Sequence, residues 1–557
     1  MQPIKHTKVM RIAIAQLNPI VGDITHNLSI AREAVQAAQK SQADFLIFSE
    51  LFISGYSPED LLFRSVFIQE CDKALLSLAQ MTEGTSLSII IGCPSKKEQY
   101  IYNSAFLLAD GKIIDCYNKF DLPTYGEFDE KRFFTQGNGP KVIQHKGLNF
   151  AIAICEDVWN SPGLFESFSQ QGAQIAFILN GSPYTRDKWQ TRQKILYEHS
   201  RKGKIPIIYV NQIGGQDSLV YDGGSFAVQS DGSRAIQMKR FVSEIAISEW
   251  EKEENNWHCT KGPIEAVPEG ESADYNACLL GLQDYVKKNN FKKVLLGLSG
   301  GLDSALCAAI AVDALGAENV RAIMLPYNYT TKASLRDAEE CANLLGCRYE
   351  IMPIGEIFET SLNVLQPFFQ DMPWDITEEN LQSRSRALLL MALSNKFNEM
   401  LLTTGNKSEI AVGYATIYGD MCGGFNPIKD LYKTQVYGLA HWRNKNWEDN
   451  FKGPKDIVIP YNILHKAPSA ELRENQLDED SLPPYDVLDD ILSCLVEQEM
   501  SIEEITQRGY AKELIVKIAK LLYQAEYKRY QAAPGVKLSA KSFDLDRRYP
   551  ITNHFRH

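Results

Sequence analysis

The sequence lacks the cysteine spacings that mark a zinc site or a disulfide framework. Its 11 cysteines are scattered, none belongs to a CxxC pair, and several lie inside apolar runs. An odd number of unpatterned cysteines suits a reducing compartment, so we expect a cytoplasmic protein. Residues 1–8 are polar without an apolar signal core, and no apolar run is long enough to span a bilayer. We therefore expect no membrane partner.

The sequence also lacks an excess of positive charge. Its 58 Lys and Arg are outnumbered by 70 Asp and Glu, which gives a net charge of −12. Proteins bind nucleic acid through clustered Lys and Arg, so this balance argues against nucleic acid as a partner. With 557 residues, 44% of them hydrophobic and 23% charged, the chain has the composition of a globular protein with two or three domains.

The first half alternates short β-prone runs with amphipathic helices, as far as about Val228. This alternation predicts an α/β sandwich whose sheets are buried under helices. The predicted strands are 10–15, 45–48, 88–91, 105–108, 150–154, 175–179 and 205–210, and the predicted helices are 27–40, 162–171 and 188–202.

Three polar residues of different chemistry, Glu50, Lys119 and Cys155, each follow a predicted strand. Rigid sheets present catalytic groups on the loops at strand ends. A carboxylate, an ammonium and a thiol are the base, oxyanion partner and nucleophile that covalent acyl transfer needs. Taken singly, each also has a structural explanation, as a helix-cap charge, a solvated lysine and a buried thiol.

The segments around these residues resemble the nitrilase (carbon–nitrogen hydrolase) superfamily in order and in flanking sequence. They are SELFISGY, YNKFDLPTYGEFDE and ICEDVW. The resemblance implies an α-β-β-α sandwich in which Glu50 is the general base and Lys119 stabilises the oxyanion. Cys155 would form a thioester with an amide substrate while ammonia leaves. It also implies an additional glutamate beside this triad, at Glu127 or alternatively at Glu130.

The glutaminase members of the superfamily supply a candidate substrate, glutamine. Carried over from them, Tyr125, Ser182 and Lys188 would hold the glutamine. The cation at the last place could equally be Arg186.

The junction from Glu249 to Asp274 mixes acidic clusters with Asn, Gly and Pro and shows no periodicity, which predicts a linker. We therefore expect a nitrilase-like amidohydrolase domain over 1–250, a linker over 251–272 and a second domain over 273–557. A long surface loop within one domain is the alternative.

A glycine pair marks the start of the second half. The segment Leu298–Ser304, LSGGLDS, follows the apolar run 294–297 and opens an Ala- and Leu-rich stretch. This predicts strand, tight turn and helix, a geometry that offers main-chain N–H groups to phosphate. The Lys-Ser/Thr ending of a Walker A loop is missing. The segment resembles the SGGxDS pyrophosphate loop of the N-type ATP pyrophosphatases, which cleave ATP between its α and β phosphates.

The elements before and after this loop predict a doubly wound, Rossmann-like parallel sheet with the loop after its first strand. The predicted helices are 273–289, 332–345 and 378–398, and the predicted strands are 320–325, 349–353 and 400–403. Glu409, beyond the last strand, is placed to share Mg²⁺ with Asp303 and triphosphate oxygens. Alternatively, Glu409 is a first-turn carboxylate that favours the helix dipole.

Three longer motifs resemble the NAD⁺ synthetase family, in its glutamine-dependent form given the nitrilase-like half. They are ENLQSRSR, TTGNKSEIAVGYATIYGDMCGGFNPIKDLYKTQVY and YKRYQAAPGVKLSAKSFDLDRRYPIT. Residue by residue, the resemblance implies Mg²⁺ at Asp303 and Glu409. For ATP it implies Gly297, Leu298, Ser299, Gly300, Gly301, Leu302, Asp303, Ser304, Thr404, Lys433 and Ser469. For nicotinic acid adenine dinucleotide (deamido-NAD) it implies Asn380, Glu409, Asp420 and Lys537.

The chain departs from ammonia-dependent synthetases at Ile417, where they carry lysine, and around Gly424, where they carry aspartate. The resemblance implies an ATP-dependent ligase that amidates deamido-NAD to NAD⁺ through an acyl-adenylate, with ammonia channelled from glutamine. A homo-oligomer is expected, because synthetase domains of this type form dimers. The alternative function is another adenylating enzyme, for example one that modifies tRNA, fused to a nitrilase-type amidase.

Overall fold

The computed structural model describes residues 9–159, 163–253, 256–474, 476–544 and 546–555. The chain forms two compact units. The first extends to Gln216 and includes Val220–Pro268, and the second comprises Asp217–Leu219 and the chain from Glu269 onward. Among the described helices, none has the length and apolar character needed to cross a membrane.

The strands of the first unit, within its described residues, form two large sheets and a hairpin. They are β1 (Val9–Gln16), β2 (Phe45–Ile47), β3 (Ser88–Lys97), β4 (Tyr100–Ala109), β5 (Lys112–Asn118), β6 (Lys141–His145), β7 (Leu148–Ile154), β8 (Ile175–Asn180), β9 (Ile207–Asn211), β10 (Ile213–Gln216), β11 (Leu219–Asp222), β12 (Phe226–Val228), β13 (Arg234–Gln237), β14 (Glu244–Glu253) and β15 (Asn256–Lys261). One sheet has the order β15-β14-β1-β2-β3-β4-β5, the other β13-β12-β9-β8-β7-β6, and β10 pairs with β11.

The outer face of the first sheet is covered by α1 (Ile24–Lys40) and α2 (Ser65–Gln80), and that of the second by α4 (Leu164–Gln170) and α5 (Lys188–Gly203). The short helix α3 (Glu130–Phe133) follows the loop that begins at Lys119, and 3₁₀ turns lie at Glu59–Phe63 and Cys155–Val158. Alternate residues of each strand face opposite sides. Phe45 of one sheet packs on Phe150 and Phe177 of the other, with ring centroids 5.6 Å away. Leu46 belongs instead to the cluster that the first sheet forms with α1 and α2.

A third cluster joins the second sheet to α4 and α5, through residues such as Ile178, Phe168 and Leu196. Three apolar layers between four layers of secondary structure bury both faces of both sheets. The predicted α-β-β-α sandwich is confirmed.

The expectation of irregular chain from Glu249 onward is wrong for the part that forms β14 and β15. β14 pairs antiparallel with β1 along its length, from Val9↔Glu251 to Gln16↔Glu244. Trp250 and Trp257 are buried in the core between the sheets. Polar or charged residues flank each tryptophan in sequence, so only one face of each strand is strongly apolar. In a stretch rich in acidic residues and Asn, this alternation was too weak to predict a strand. Residues 262–269 lie outside helices and strands.

The second unit is built on a four-stranded parallel sheet. Its described elements are α6 (Gly270–Lys288), β16 (Lys293–Gly297), α7 (Leu302–Leu315), β17 (Val320–Met324), α8 (Lys332–Leu345), β18 (Arg348–Ile351), α9 (Gly355–Phe369), α10 (Ile376–Phe397), β19 (Glu399–Leu402), α11 (Lys407–Val412), α12 (Lys433–Lys445), α13 (Tyr461–His465), α14 (Tyr485–Val496), α15 (Ile502–Gln507), α16 (Lys512–Gln524) and α17 (Glu526–Arg529). The strand order is β18-β17-β16-β19.

All pairs in this sheet are parallel, so the predicted doubly wound fold is confirmed. The chain proceeds outward from β16 to β18 and then returns to place β19 on the other side of β16. Ligands of open parallel sheets bind where the strand order reverses, beyond the carboxyl ends of the strands. That edge lies between β16 and β19, the strands that precede the glycine loop and Thr404. The helices α14 to α16, which form a separate apolar cluster, were not predicted.

Candidate active sites

The first candidate site is built around a fully buried lysine. Lys119 directly follows β5, and its Nζ donates to Glu50 Oε1 at 2.8 Å and to Glu130 Oε1 at 2.9 Å. Burial opposes the charge on Lys119, but the carboxylates of Glu130 and Glu50 outweigh it and raise the pKa of the lysine. Burial raises the pKa of Glu130 to about 7, against the effect of Lys119. Lys119 is therefore a fixed cation between two carboxylates.

Glu50 is held in one orientation by neutral donors. Asn103 Nδ2 donates to its Oε1 at 2.7 Å, and the N–H of Gly181 donates to its Oε2 at 2.8 Å. The loop that carries Glu50 lies against Gly92 of β3, where a Cβ atom would come within 2.2 Å of the main-chain nitrogen of Leu51. A larger residue at Gly92 would therefore displace this loop.

Cys155 begins the turn that directly follows β7. Its φ of 42° is left-handed, which is uncommon for a residue with a side chain. The thiol is buried, with 3% of the residue exposed. Burial and the negative charge of Glu50 raise the pKa of the Cys155 thiol, and Lys119 opposes them. The resting thiol is thus protonated and needs a base before it can act as a nucleophile.

Asp157 fastens the lysine loop to the cysteine turn. Its Oδ1 accepts from the N–H groups of Phe120 and Asp121, and its Oδ2 accepts from the N–H of Ile154 and the hydroxyl of Tyr117. The residue after Lys119 and the residue before Cys155 are therefore bonded to one buried carboxylate.

The predicted glutamine-binding residues lie on three separate segments. The hydroxyl of Tyr125, a residue that is 56% exposed, donates to Glu156 at 2.9 Å, and both line a cavity of about 440 Å³. Ser182 is buried, and its N–H donates to Asn211 Oδ1 at 3.0 Å. Lys188 opens α5, and its Nζ lies 3.7 Å from Glu127 Oε1.

The two glutamates that the sequence left as alternatives occupy different places. Glu130 contacts Lys119 and also accepts a hydrogen bond from the hydroxyl of Tyr56 at 2.8 Å. Glu127 lies near Lys188 instead. The structure therefore places Glu130, and not the preferred Glu127, beside the Glu50–Lys119 pair. Glu127 lies three residues before Glu130, which is the first residue of α3. The turn into α3 therefore points their side chains to different places.

The second candidate site begins at the loop between β16 and α7. Gly300 has a φ of +78°, and a Cβ atom there would come within 2.4 Å of the carbonyl oxygen of Ser334. Only glycine meets both conditions. The hydroxyl of Ser299 accepts from the N–H of Gly301 and lies 3.1 Å from the hydroxyl of Ser304. The loop is thus closed upon itself at the start of α7, where main-chain N–H groups attract phosphate.

Asp303 and Glu409 converge on one lysine. Lys433 Nζ hydrogen-bonds Asp303 Oδ2 and lies 3.7 Å from Glu409 Oε1. Burial and the negative charge of Asp303 raise the pKa of Glu409 to about 8, although Lys433 opposes them. Buried Asp478 adds a further negative charge that acts on Glu409. The site therefore holds more carboxylate than its lysine compensates.

Hard cations take oxygen ligands, so Asp303 and Glu409 are suited in charge and donor type to Mg²⁺. The described residues contain no group of three or more His, Cys, Asp or Glu side chains arranged to hold a metal ion. Any cation held by these two carboxylates would need its other ligands from a bound phosphate or from water.

A cavity of about 400 Å³ adjoins this loop. Most of the residues predicted to bind ATP or dinucleotide line it: Gly297 to Ser304, Asn380, Thr404, Glu409, Asp420, Lys433 and Ser469. Lys537 does not line this cavity, and its ammonium pairs with Asp546 at 2.8 Å. Burial raises the pKa of Asp420 to about 6.

Several residues at the two sites were not predicted. Asn406 caps α11 and donates to Asp303 Oδ1 at 2.9 Å, and Arg386 lines the cavity with its pKa lowered to about 10 by burial. In the first unit the unpredicted residues are Tyr56, Asn103 and Asp157. Asn103 is a buried polar residue in a mostly apolar strand, which is the kind of signal that marks a buried polar contact. Such contacts join segments far apart in sequence.

Comparisons with known proteins match both units. Residues 11–254 match the family model described as carbon-nitrogen hydrolase, and residues 274–532 match that of NAD synthase. A glutamine-dependent NAD(+) synthetase of Xanthomonas campestris is 46% identical over 553 residues, which cover 98% of each chain. One of Rhodobacter capsulatus is 43% identical over 551 residues, which cover 99% of each chain.

A solved structure gives the same result. Glutamine-dependent NAD+ synthetase from Acinetobacter baumannii, in complex with adenosine diphosphate, is 39% identical with a TM-score of 0.78. The match covers 98% of this chain and 99% of that one. These similarities extend over both units, whereas an unrelated adenylating enzyme would share only part of the chain.

Proposed function

The chain belongs to the family of glutamine-dependent NAD(+) synthetases, and we propose that it couples two reactions through ammonia. Glutamine is hydrolysed at Cys155 in the first unit, and deamido-NAD is adenylated and then amidated in the second. The observation that carries the first half is the buried Lys119 between Glu50 and Glu130, at 2.8 and 2.9 Å. The match of both family models supports the pairing of the two reactions.

Glu50 takes the thiol proton as Cys155 attacks the amide carbon of glutamine. A buried thiol with a raised pKa requires such a base, and Glu50 is held in place by Asn103 and Gly181. The ammonium of Lys119 donates to the oxyanion of the tetrahedral intermediate. When the C–N bond breaks, Glu50 returns its proton to the leaving nitrogen, which gives ammonia and a Cys155 thioester.

Water then attacks the thioester carbonyl, Glu50 accepts a proton from that water, and glutamate leaves as the thiol re-forms. Glu130 accepts from the hydroxyl of Tyr56 and from Lys119, so it fixes the direction of the lysine. Tyr125, Ser182 and Lys188 hold the amino acid end of glutamine.

In the second unit the nicotinate carboxylate of deamido-NAD attacks the α-phosphorus of ATP, and pyrophosphate leaves. The acyl-adenylate so formed is attacked by ammonia, and AMP leaves with formation of NAD⁺. The loop from Gly297 to Ser304 offers main-chain N–H groups to the phosphates, and Thr404, Lys433 and Ser469 complete the ATP site. Asn380, Asp420 and Lys537 are assigned to the dinucleotide.

Asp303 and Glu409 would hold Mg²⁺, which supplies charge neutralisation for the departing pyrophosphate. The surplus of buried carboxylate around Lys433, expressed in the raised pKa of Glu409, supports this assignment. Lys433 itself orients Asp303 through their ion pair.

Ammonia must reach the acyl-adenylate unprotonated, since ammonium has no lone pair for the attack. An internal passage that excludes water would keep it neutral. We therefore include internal transfer of ammonia in the proposed function.

The test is a reconstituted reaction with purified chain, deamido-NAD, ATP and Mg²⁺. Glutamine should support formation of NAD⁺, AMP and pyrophosphate in equal amounts. Cys155→Ala should abolish this reaction and leave that with ammonium salts at the wild-type rate. Equal loss of both reactions would contradict the division of labour.

A further inference from the structure

A buried ion triad lies in the first unit, apart from the groups used in the mechanism. Asp222, at the end of β11, accepts from Arg192 Nη1 and from Arg240 Nε, each at 2.8 Å. Asp222 is fully buried, and Arg192 and Arg240 are 1% and 5% exposed. Burial would raise the pKa of Asp222, but the two guanidinium groups outweigh it and hold the pKa below its usual range. One carboxylate thus joins two cations.

Arg192, one arm of the triad, contacts the segment that orients Glu50. Arg192 Nη2 donates to the carbonyl oxygens of Ser182 and Pro183, both at 2.8 Å. The residue just before them, Gly181, donates its N–H to Glu50. The position of Arg192 therefore fixes the main chain that orients Glu50.

Arg240, the other arm of the triad, contacts the last residue of the first unit. Arg240 Nη1 donates to the carbonyl oxygen of Pro268 at 2.6 Å, and its guanidinium lies 5.3 Å from the ring centroid of Tyr184. Pro268 is the last residue of the first unit, and α6 of the second begins at Gly270. The triad is thus bonded to the peptide that leads into the second unit.

We propose that Arg192, Asp222 and Arg240 are positioning residues for glutamine hydrolysis, which tie the Gly181–Pro183 segment to the peptide at Pro268. This inference rests on the proposed function, because it takes Glu50 as the base. Buried ion triads add little stability compared with apolar side chains of the same volume. What this triad adds is a set of directed hydrogen bonds to three main-chain carbonyl groups. A shift of Pro268 would therefore reach Glu50 and change the rate of ammonia release.

Arg240→Lys is the sharpest test. A single ammonium can pair with Asp222 but lacks the planar fork that also reaches Pro268. In the full-length enzyme the glutamine-supported kcat should fall about tenfold or more, because small misplacements of catalytic groups have effects of this size. The KM for glutamine and the ammonium-supported rate should stay within about threefold.

Arg192→Lys is the second variant, since it weakens the other arm and leaves the Arg240 bonds in place. It should show the same loss in kcat together with a higher KM for glutamine, because Arg192 also bonds the carbonyl oxygen of Ser182. Arg234→Lys is the matched control, because Arg234 is exposed and bonds only to surface side chains among the contacts described, such as the hydroxyl of Tyr197 at 3.1 Å. Arg234→Lys should unfold at the wild-type temperature. The two triad variants should unfold at a lower temperature, still well above that of the assay, because buried carbonyl groups lose their donors.

Wild-type kcat with glutamine in both Arg240→Lys and Arg192→Lys would overturn the proposal, as would an equal loss in Arg234→Lys. A fall in kcat that disappears when the variant is assayed well below its unfolding temperature would also overturn it, because the triad would then only stabilise the fold. Failure of the proposed function looks different: the wild-type enzyme itself would then form no NAD⁺ from glutamine.

Discussion

Replacing Asp157 by asparagine tests whether the loop that carries Lys119 must be fastened to the turn that carries Cys155. In the native protein one carboxylate oxygen accepts from two N–H groups at 3.0 and 2.8 Å. The other accepts from the N–H of Ile154 at 2.8 Å and from the hydroxyl of Tyr117 at 2.9 Å. An asparagine oxygen can serve only one of these pairs.

The least costly arrangement keeps the oxygen on the two loop N–H groups and turns the amide NH₂ toward Tyr117, whose hydroxyl can rotate to accept. The N–H of Ile154 then has no acceptor. A buried N–H that loses its partner costs about 1–3 kcal/mol. We expect the first unit to lose about this much unfolding free energy, and glutamine hydrolysis to slow about tenfold or more as Lys119 and Cys155 shift apart.

Calorimetry and steady-state glutamine hydrolysis measure the two effects. The control is Asp110→Asn, because that side chain is 61% exposed and its nearest cation is 3.9 Å away. The ammonium-supported rate should be unchanged in both variants. Glutamine hydrolysis by Asp157→Asn within threefold of wild type, at full stability, would refute the reasoning.

Three further predictions concern single residues at the two sites. Gly300→Ala should lower NAD⁺ formation from glutamine and from ammonium alike while hydrolysis of glutamine continues, because the added Cβ meets Ser334; a selective loss of the glutamine reaction would contradict this. The pKa of Glu409 is raised to about 8 from 4.5 in the unfolded chain, so the folded state binds more protons between these values. The unfolding free energy should therefore fall as pH rises from about 4.5 to about 8. Glu409→Gln should remove that fall, as measured by urea titrations at several pH values. An identical pH dependence in the variant would count against the raised pKa of Glu409. Glu130→Gln should lower the kcat of glutamine hydrolysis about a hundredfold and Glu127→Gln less than tenfold, and the reverse order would return the catalytic assignment to Glu127.

The sequence predicted the strands that are continuously apolar and the helices whose apolar residues recur regularly on one face. The strands of the two sandwich sheets that were predicted are apolar over four or more residues, as in Ile175–Asn180, and the helix Lys332–Leu345 has the predicted bounds. β15 escaped because its exposed face carries Asn, His and Lys, and only Trp257 is fully buried among its described residues. In such a strand most residues are on the exposed face, so the amino-acid composition indicates a loop although the other face is buried.

Site residues at strand ends were accessible to sequence reasoning, because topology alone brings them to one edge. Glu50, Lys119 and Cys155 follow β2, β5 and β7, as expected for groups that a rigid sheet presents. Their roles stay predictions until tested. The partners that fix their directions could not be predicted in the same way, because Asn103 and Asp157 act through contacts between segments far apart in sequence.

Lys537 is assigned to the dinucleotide by the resemblance alone. Its ammonium pairs with Asp546 and lies outside the lining of the cavity that holds Asn380 and Asp420. The choice between Glu127 and Glu130 also needed the three-dimensional structure. The two glutamates are three residues apart, and only the turn between them directs Glu130 to Lys119 and Glu127 to Lys188.

Isotope competition tests the central claim most directly. The enzyme is given glutamine labelled with ¹⁵N at the amide, together with deamido-NAD, ATP, Mg²⁺ and unlabelled ammonium, and the NAD⁺ formed is analysed by mass spectrometry. The ammonium is varied over concentrations that by themselves support little NAD⁺ formation. Over this range, internal transfer predicts NAD⁺ that carries ¹⁵N at nearly the enrichment of the glutamine. Enrichment that falls in proportion to added ammonium would show that the nitrogen passes through solvent, and would contradict the account.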